Sequence, residues 1–131
     1  MTPIRTRLLL PAFAIVLLLA GCTTPVAIDP ATGGDQKAEH RAGYFYAPLG
    51  ADPKTIFRTA IRKMDEMGYF RTGELHREDS ISIFARSVGD KKVNVRISQI
   101  APGKSEIRIR VGTFGDLPES QKIYAAIRNA L

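Results

Sequence analysis

One cysteine, two histidines and a scatter of serines and carboxylates are the side chains of this 131-residue chain that could do covalent or metal chemistry. Cys22 stands apart from the rest. It is the only cysteine, and it follows the small residues Ala20 and Gly21, which let a processing enzyme approach the backbone closely. Its thiolate is the one side chain here suited to accept a diacylglyceryl group as a thioether. With no second cysteine, the chain beyond it forms no intramolecular disulfide and no cysteine metal site. His40 and His76 have no partner at ligand spacing, so no metal is expected. A nucleophilic serine would have only His76 as its base, and no Gly-x-Ser-x-Gly elbow occurs. The neighbouring carboxylates Asp65-Glu66 and Glu78-Asp79 read as solvated surface. These observations argue against an enzyme and imply no cofactor.

The segment before Cys22 must deliver it to that chemistry. Arg5 and Arg7 precede an uncharged apolar run from Leu8 to Ala20. Its 13 residues match a signal-peptide core. They fall short of the ~20 needed to span a hydrocarbon layer, and Pro11 weakens any longer helix. Leu19-Ala20-Gly21-Cys22 resembles the lipobox of bacterial lipoproteins. That resemblance implies removal of residues 1–21, lipid on Cys22, and a membrane partner reached through that lipid. One acyl chain holds a protein only marginally, whereas two or three hold it durably. Thr23, in place of an aspartate, implies by the same resemblance an outer-membrane location facing the periplasm.

Thr23 to Arg41 is rich in Thr, Ala, Gly and Pro, without helical or strand period, and reads as a flexible tether. A coil of that length would span roughly 25 Å, holding the following domain off the membrane. The expected division is therefore signal peptide 1–21, lipidated cysteine and tether 22–41, and one compact domain over 42–131. Loss of Arg5 and Arg7 lowers the net charge from +6 to +4. Nucleic acid is not expected as a partner, because an exported protein rarely meets it.

Within 42–131 the pattern predicts β-α-β-β-β-β-α. A first strand is expected over 42–47. Asp52-Pro53 then opens a helix whose apolar stripe is Ile56, Phe57, Ala60, Ile61, Met64 and Met67, with Gly68 as its stop. A weak strand follows over 69–75, interrupted by Gly73, and alternating strands over 80–88, 92–100 and 105–114. Side chains alternate with period two, so only odd hairpin loops keep one face apolar. That predicts Ile83 opposite Ile97, Ile97 opposite Ile107 and Val95 opposite Ile109, with bulged three-residue loops at Gly89–Lys91 and around Pro102-Gly103. Asp116, Pro118 and Glu119 open a second helix with Leu117, Ile123, Ile127 and Leu131 on its apolar edge. The fold class is α+β: a two-layer sandwich, an antiparallel sheet of four to five strands with both helices on one face.

On the other face this register places Arg86, Arg96, Arg108 and Arg110, with Phe84 beside them and Glu106 as the nearby acid. Like charges paired across strands are mildly destabilising. Arginine offers planar bidentate donors for phosphate and carboxylate. These five residues are the candidate partner or ligand face. Gly112-Thr-Phe-Gly115 before the last helix resembles an anion loop only superficially, since Asp116 would satisfy the helix donors itself. The glycines would permit a sharp turn, with Phe114 expected to plug the core.

Glu106-Ile-Arg-Ile-Arg-Val-Gly-Thr-Phe-Gly-Asp116, the preceding Gly-Asp-Lys-Lys-Val hairpin and the lipobox together resemble a family of small bacterial lipoproteins of uncharacterised function. Leu117-Pro118 departs from its pattern. The resemblance implies an address and a fold and no catalytic residue. The expected function is a non-enzymatic, lipid-anchored envelope module that contacts another envelope protein. The alternative is a binder of an anionic glycolipid or glycan through the arginine face.

Overall fold

In a computed structural model, the structure describes residues 24–26 and 38–131. Cys22, the signal segment and residues 27–37 of the expected tether lie outside the described residues. The element order is β1 (Thr24–Val26), β2 (Ala38–Arg41), β3 (Tyr44–Leu49), α1 (Pro53–Glu66), β4 (Phe70–His76), β5 (Ser80–Arg86), β6 (Lys92–Ala101), β7 (Lys104–Val111) and α2 (Leu117–Asn129). All strand pairs are antiparallel, in the order β1-β2-β3-β7-β6-β5-β4. The molecule is α+β as the pattern implied. Its sheet is wider than expected, with six strands over 38–131 and the short β1 added at the edge.

Alternation decides what is buried. Phe45, Ile83, Val93, Ile97, Ile107 and Ile109 are wholly inaccessible on one face. Both helices close over that face, contributing Ile56, Ala60 and Met64 from α1 and Ile123, Tyr124 and Ile127 from α2. Tyr124 is the largest of these, lying edge-on to Phe45 at 5.4 Å and donating its hydroxyl to the Pro48 carbonyl at 3.0 Å. Sequence periodicity did not single it out. Met67, expected in the apolar stripe, is instead the C-cap of α1 and exposed. Gly68 beyond it takes φ +85°, the left-handed stop its type predicts.

The helix starts behave differently. Asp116 accepts from the Glu119 N–H at 3.1 Å, a working cap. The Glu119 carboxylate does not reach back to close a capping box; it takes the hydroxyl of Tyr69 instead. Asp52 is the N-cap residue of α1, but its carboxylate accepts from the Thr55 hydroxyl. That bond holds the Asp52 carboxyl below its usual range.

Register confirms the parity and corrects the detail. Ile97 does face Ile107 and Val95 faces Ile109. The turn there is the two-residue Pro102-Gly103, and a bulge between Gln99 and Ala101 restores the parity. In the preceding hairpin Ile83 faces Val95 rather than Ile97. The Ser87 N–H bonds to the Lys91 carbonyl at 3.0 Å, so the three-residue loop is Val88–Asp90, one position earlier than expected. Asp90, at φ +59°, occupies the left-handed position that closes such a loop.

The N-terminal boundary also moves. Ala38–Arg41, expected as tether, pairs with β3, and Ala38 is buried. Ala42 and Gly43, expected to begin a strand, form the two-residue turn between β2 and β3, both at positive φ. Thr24–Val26, also expected as tether, pairs with β2. Composition concealed these strands because, at three and four residues, they are too short to show a side-chain period.

Candidate interaction face

The face away from the helices is built by the same alternation that builds the core. Residues that point outward alternate with the buried ones on β3, β5, β6 and β7, among them Tyr44 and Tyr46, Ser82 and Phe84, Asn94 and Arg96, and Glu106, Arg108 and Arg110. Arg96 lies directly opposite Arg108, as the register required, and Tyr46 lies opposite Arg108 on the other side. Three guanidinium groups rest on two tyrosine rings. Arg108 lies 4.6 Å and Arg110 4.9 Å from the centre of Tyr44, and Arg41 lies 4.7 Å from Tyr46. Such stacking places each cation over the electron-rich ring face and fixes its plane.

The five expected residues are not gathered into one site. Phe84, Arg96 and Arg108 line a pocket of about 120 Å³ together with Tyr44, Ser82 and Asn94. Arg110 stacks on Tyr44 and donates to the Thr113 carbonyl. Arg86 stands at the end of its strand, where Asp90 pairs with it at 2.9 Å, and lines a different groove. Arg41, Tyr44 and Tyr46 were missed. Tyr44 and Tyr46 flank buried Phe45, so alternation alone would have turned them outward. What periodicity could not supply was the pairing of β3 with β7, distant in sequence.

Charge on this face is unbalanced. No ion pair among the described residues involves Arg41, Arg96, Arg108 or Arg110. The Nε atoms of Arg96 and Arg108 are screened from solvent and make no hydrogen bond. A buried donor left without a partner costs about 1–3 kcal/mol. An oxyanion between the two guanidiniums would supply acceptors to both. The pocket is well below the roughly 300–1,000 Å³ of sites that enclose a whole drug-sized molecule. It suits one anionic group or one planar side chain.

The histidines offer nothing comparable. His40 is on β2, on the helix side of the sheet, and its Nε2 is buried without a partner. His76, expected in a turn, ends β4, where it packs edge-on to Phe57 at 5.0 Å and lies 3.2 Å from Glu74. Among the described residues no three His, Cys, Asp or Glu side chains are placed to hold a metal, and no helix is long and apolar enough to cross a membrane.

A family model described as protein of unknown function, DUF3568, matches residues 6–130. The chain belongs to the DUF3568 family. A search of the curated proteins found no match. In this DUF3568 chain the Gly112–Asp116 loop has a mechanical role. Gly115, at φ +83°, lies so close to the β2–β3 turn that a Cβ there would sit 2.2 Å from the Gly43 carbonyl oxygen. A Cβ on Gly43 would meet the Phe114 oxygen at 2.7 Å. Two loops far apart in sequence are thus joined backbone to backbone. Phe114, expected to plug the core, is 91% exposed because this joint turns its side chain outward.

Proposed function

We propose that this chain is a lipid-anchored protein of the bacterial envelope, facing the periplasm from the outer membrane, whose domain is a non-enzymatic interaction module. The anchor is lipid on Cys22, which the preceding apolar run and Ala20-Gly21 support. The module's contact surface is the uncovered sheet face, and one observation carries that reading. Both helices lie on the opposite face, leaving Tyr44, Tyr46, Phe84 and four arginines without ion-pair partners across the strands. A partner protein would bury the aromatic rings and meet the arginines with carboxylates.

Photo-crosslinking in cells tests it, with a reactive residue at position 96 or 108 and a control at exposed Arg58 on α1. A discrete protein adduct from the sheet positions alone is the expected result; equal background from both faces would refute it. Mass spectrometry of the membrane-extracted protein tests the anchor, which is lost on Cys22→Ser.

A second reading, capture of an anionic glycolipid or glycan, is favoured by the unpartnered Nε atoms of Arg96 and Arg108. Salt separates the two. Exposed charge pairs are screened beyond about 10 Å at 0.1 M salt, so arginine-held ligand would be released as salt rises, whereas an interface centred on aromatic rings would persist. A heterogeneous glycolipid smear in the crosslinking experiment would favour this second reading.

A further inference from the structure

One end of the sheet gathers further features, with Arg41 and Arg110 shared with the open face. The Val88–Asp90 loop, the Gly112–Asp116 loop and the Ala42-Gly43 turn all lie there. Val93 pairs with Val111, Gly112 N–H bonds to the Lys92 carbonyl at 2.7 Å, and Gly115 abuts Gly43. Phe114 and Val88 are 91% and 85% exposed, the two most exposed large apolar side chains among the described residues. A groove of about 700 Å³ between their loops is lined by Arg86, Lys91 and Lys92. Asp90 and Asp116 are also present, but each has a basic neighbour, Arg86 at 2.9 Å and Lys91 at 4.0 Å. Lys92 remains outside the ion pairs of the described residues, and Arg41 and Arg110 sit one strand position from the same end. The tip is apolar at its points and basic at its rim.

The chain itself enters the sheet at this end. Thr24, the first residue of β1, pairs with His40, two residues before the Ala42-Gly43 turn. Cys22 stands two residues before Thr24. Two residues of chain reach no more than roughly 7 Å.

We propose that this end of the sheet docks on a bilayer surface containing anionic phospholipid, with Phe114 and Val88 inserted at the headgroup–acyl boundary and the basic rim against the phosphates. The proposal rests on the lipid-anchored reading of Cys22 and adds an orientation to it. Apolar side chains buried at the interface together with cations facing anionic lipid are the two forces by which peripheral elements hold to membranes. The strands then stand on end over the membrane, and the arginine face looks sideways along the bilayer.

The test uses the full lipidated protein, extracted from membranes and reconstituted into vesicles of phosphatidylethanolamine and phosphatidylglycerol. With Cys22 acylated, Phe114→Cys or Val88→Cys introduces a single free thiol for an environment-sensitive fluorophore. Ile100→Cys, 59% exposed before the substitution and at the opposite end of the sheet, is the control. Fluorophores at 114 and 88 are expected to shift to the blue and to lose intensity to nitroxide-bearing lipid, while the one at 100 does neither. Equal, water-like emission from all three positions on acylated protein would overturn the docking and leave the anchor standing, as would a dry environment at 114 that lipid nitroxides do not quench, which would mean a protein neighbour. Protein recovered without acyl groups on Cys22 would sink the lipid-anchored reading and the docking with it.

Discussion

The two faces of this sheet share the same strands and obey the same alternation, yet they hold themselves together by opposite means. The covered face stacks Ile97, Ile107 and Ile109 under two helices, every one inaccessible to water. The open face opposes Arg96 to Arg108 and steadies the arginines on tyrosine rings, with two guanidinium nitrogens left unpartnered. Burial there is partial, and among the described residues Arg41, Arg96, Arg108 and Arg110 have no ion-pair partner. The contrast teaches that fold and contact surface are separable here: changes to one face should move stability, and changes to the other should move binding.

The sharpest way to test that division is Ile107→Ala. Ile107 pairs with both Ala47 and Ile97 at the middle of the sheet, and removing it should cost about 2–5 kcal/mol in urea unfolding. Gly115→Ala comes next. It forces a side chain into left-handed backbone against the Gly43 carbonyl, for about 1–3 kcal/mol. Gly103→Ala is its control, since φ is also positive at +69° but nothing lies within 4 Å. It should cost less, about 1 kcal/mol.

Tyr69→Phe removes a buried hydroxyl from Glu119 and should cost about 1–2 kcal/mol. It also predicts a pH dependence. Burial, and then the Glu119 carboxylate, raise the Tyr69 phenol above its ordinary value of 10.0. The unfolded phenol ionises first, so stability is whole below pH 10 and declines as pH climbs beyond it. Thermal melts across that range should show a shallower decline for Tyr69→Phe; an unchanged slope would mean that Tyr69 is not the responsible group. Tyr124, raised by burial, keeps part of the effect in the variant.

Smallest is Arg96→Thr on the open face. Relief of a like-charged cross-strand pair should leave stability unchanged or raise it by about 0.2–1 kcal/mol. Added salt should raise the melting temperature of the wild type more than that of the variant. A large loss of stability would break the division of labour between the faces.

How much of this was legible in the sequence depended on distance along the chain. The alternation of Ile81, Ile83 and Ala85 with their neighbours fixed which face each strand buries, and parity alone predicted Ile97 opposite Ile107. The Val88–Asp90 hairpin slipped by one position because Asp90, rather than a glycine, holds the left-handed site. Phe114 was misplaced for a stronger reason. Its orientation follows from contact between Gly115 and Gly43, and no local pattern encodes a meeting of backbones so far apart. The arginines were readable as a group, whereas their tyrosine supports depended on β3 lying against β7. Ala38–Arg41 has no strand-like composition and joins the sheet by pairing with β3, a contact that no local pattern shows.

That widening of the sheet has a consequence for crowding. An antiparallel sheet with open ends presents unpaired backbone groups that invite strands from other molecules. On a lipid anchor, copies would share a two-dimensional surface where such encounters are frequent. The outer strand β4 is interrupted by a bulge between Arg71 and Gly73, and Arg71 is clasped to Asp65 at 3.0 Å. Among the described residues the other border is β1, three residues long. A kinked, charged margin and a very short one give a neighbouring copy little to align with, which disfavours edge-to-edge pairing.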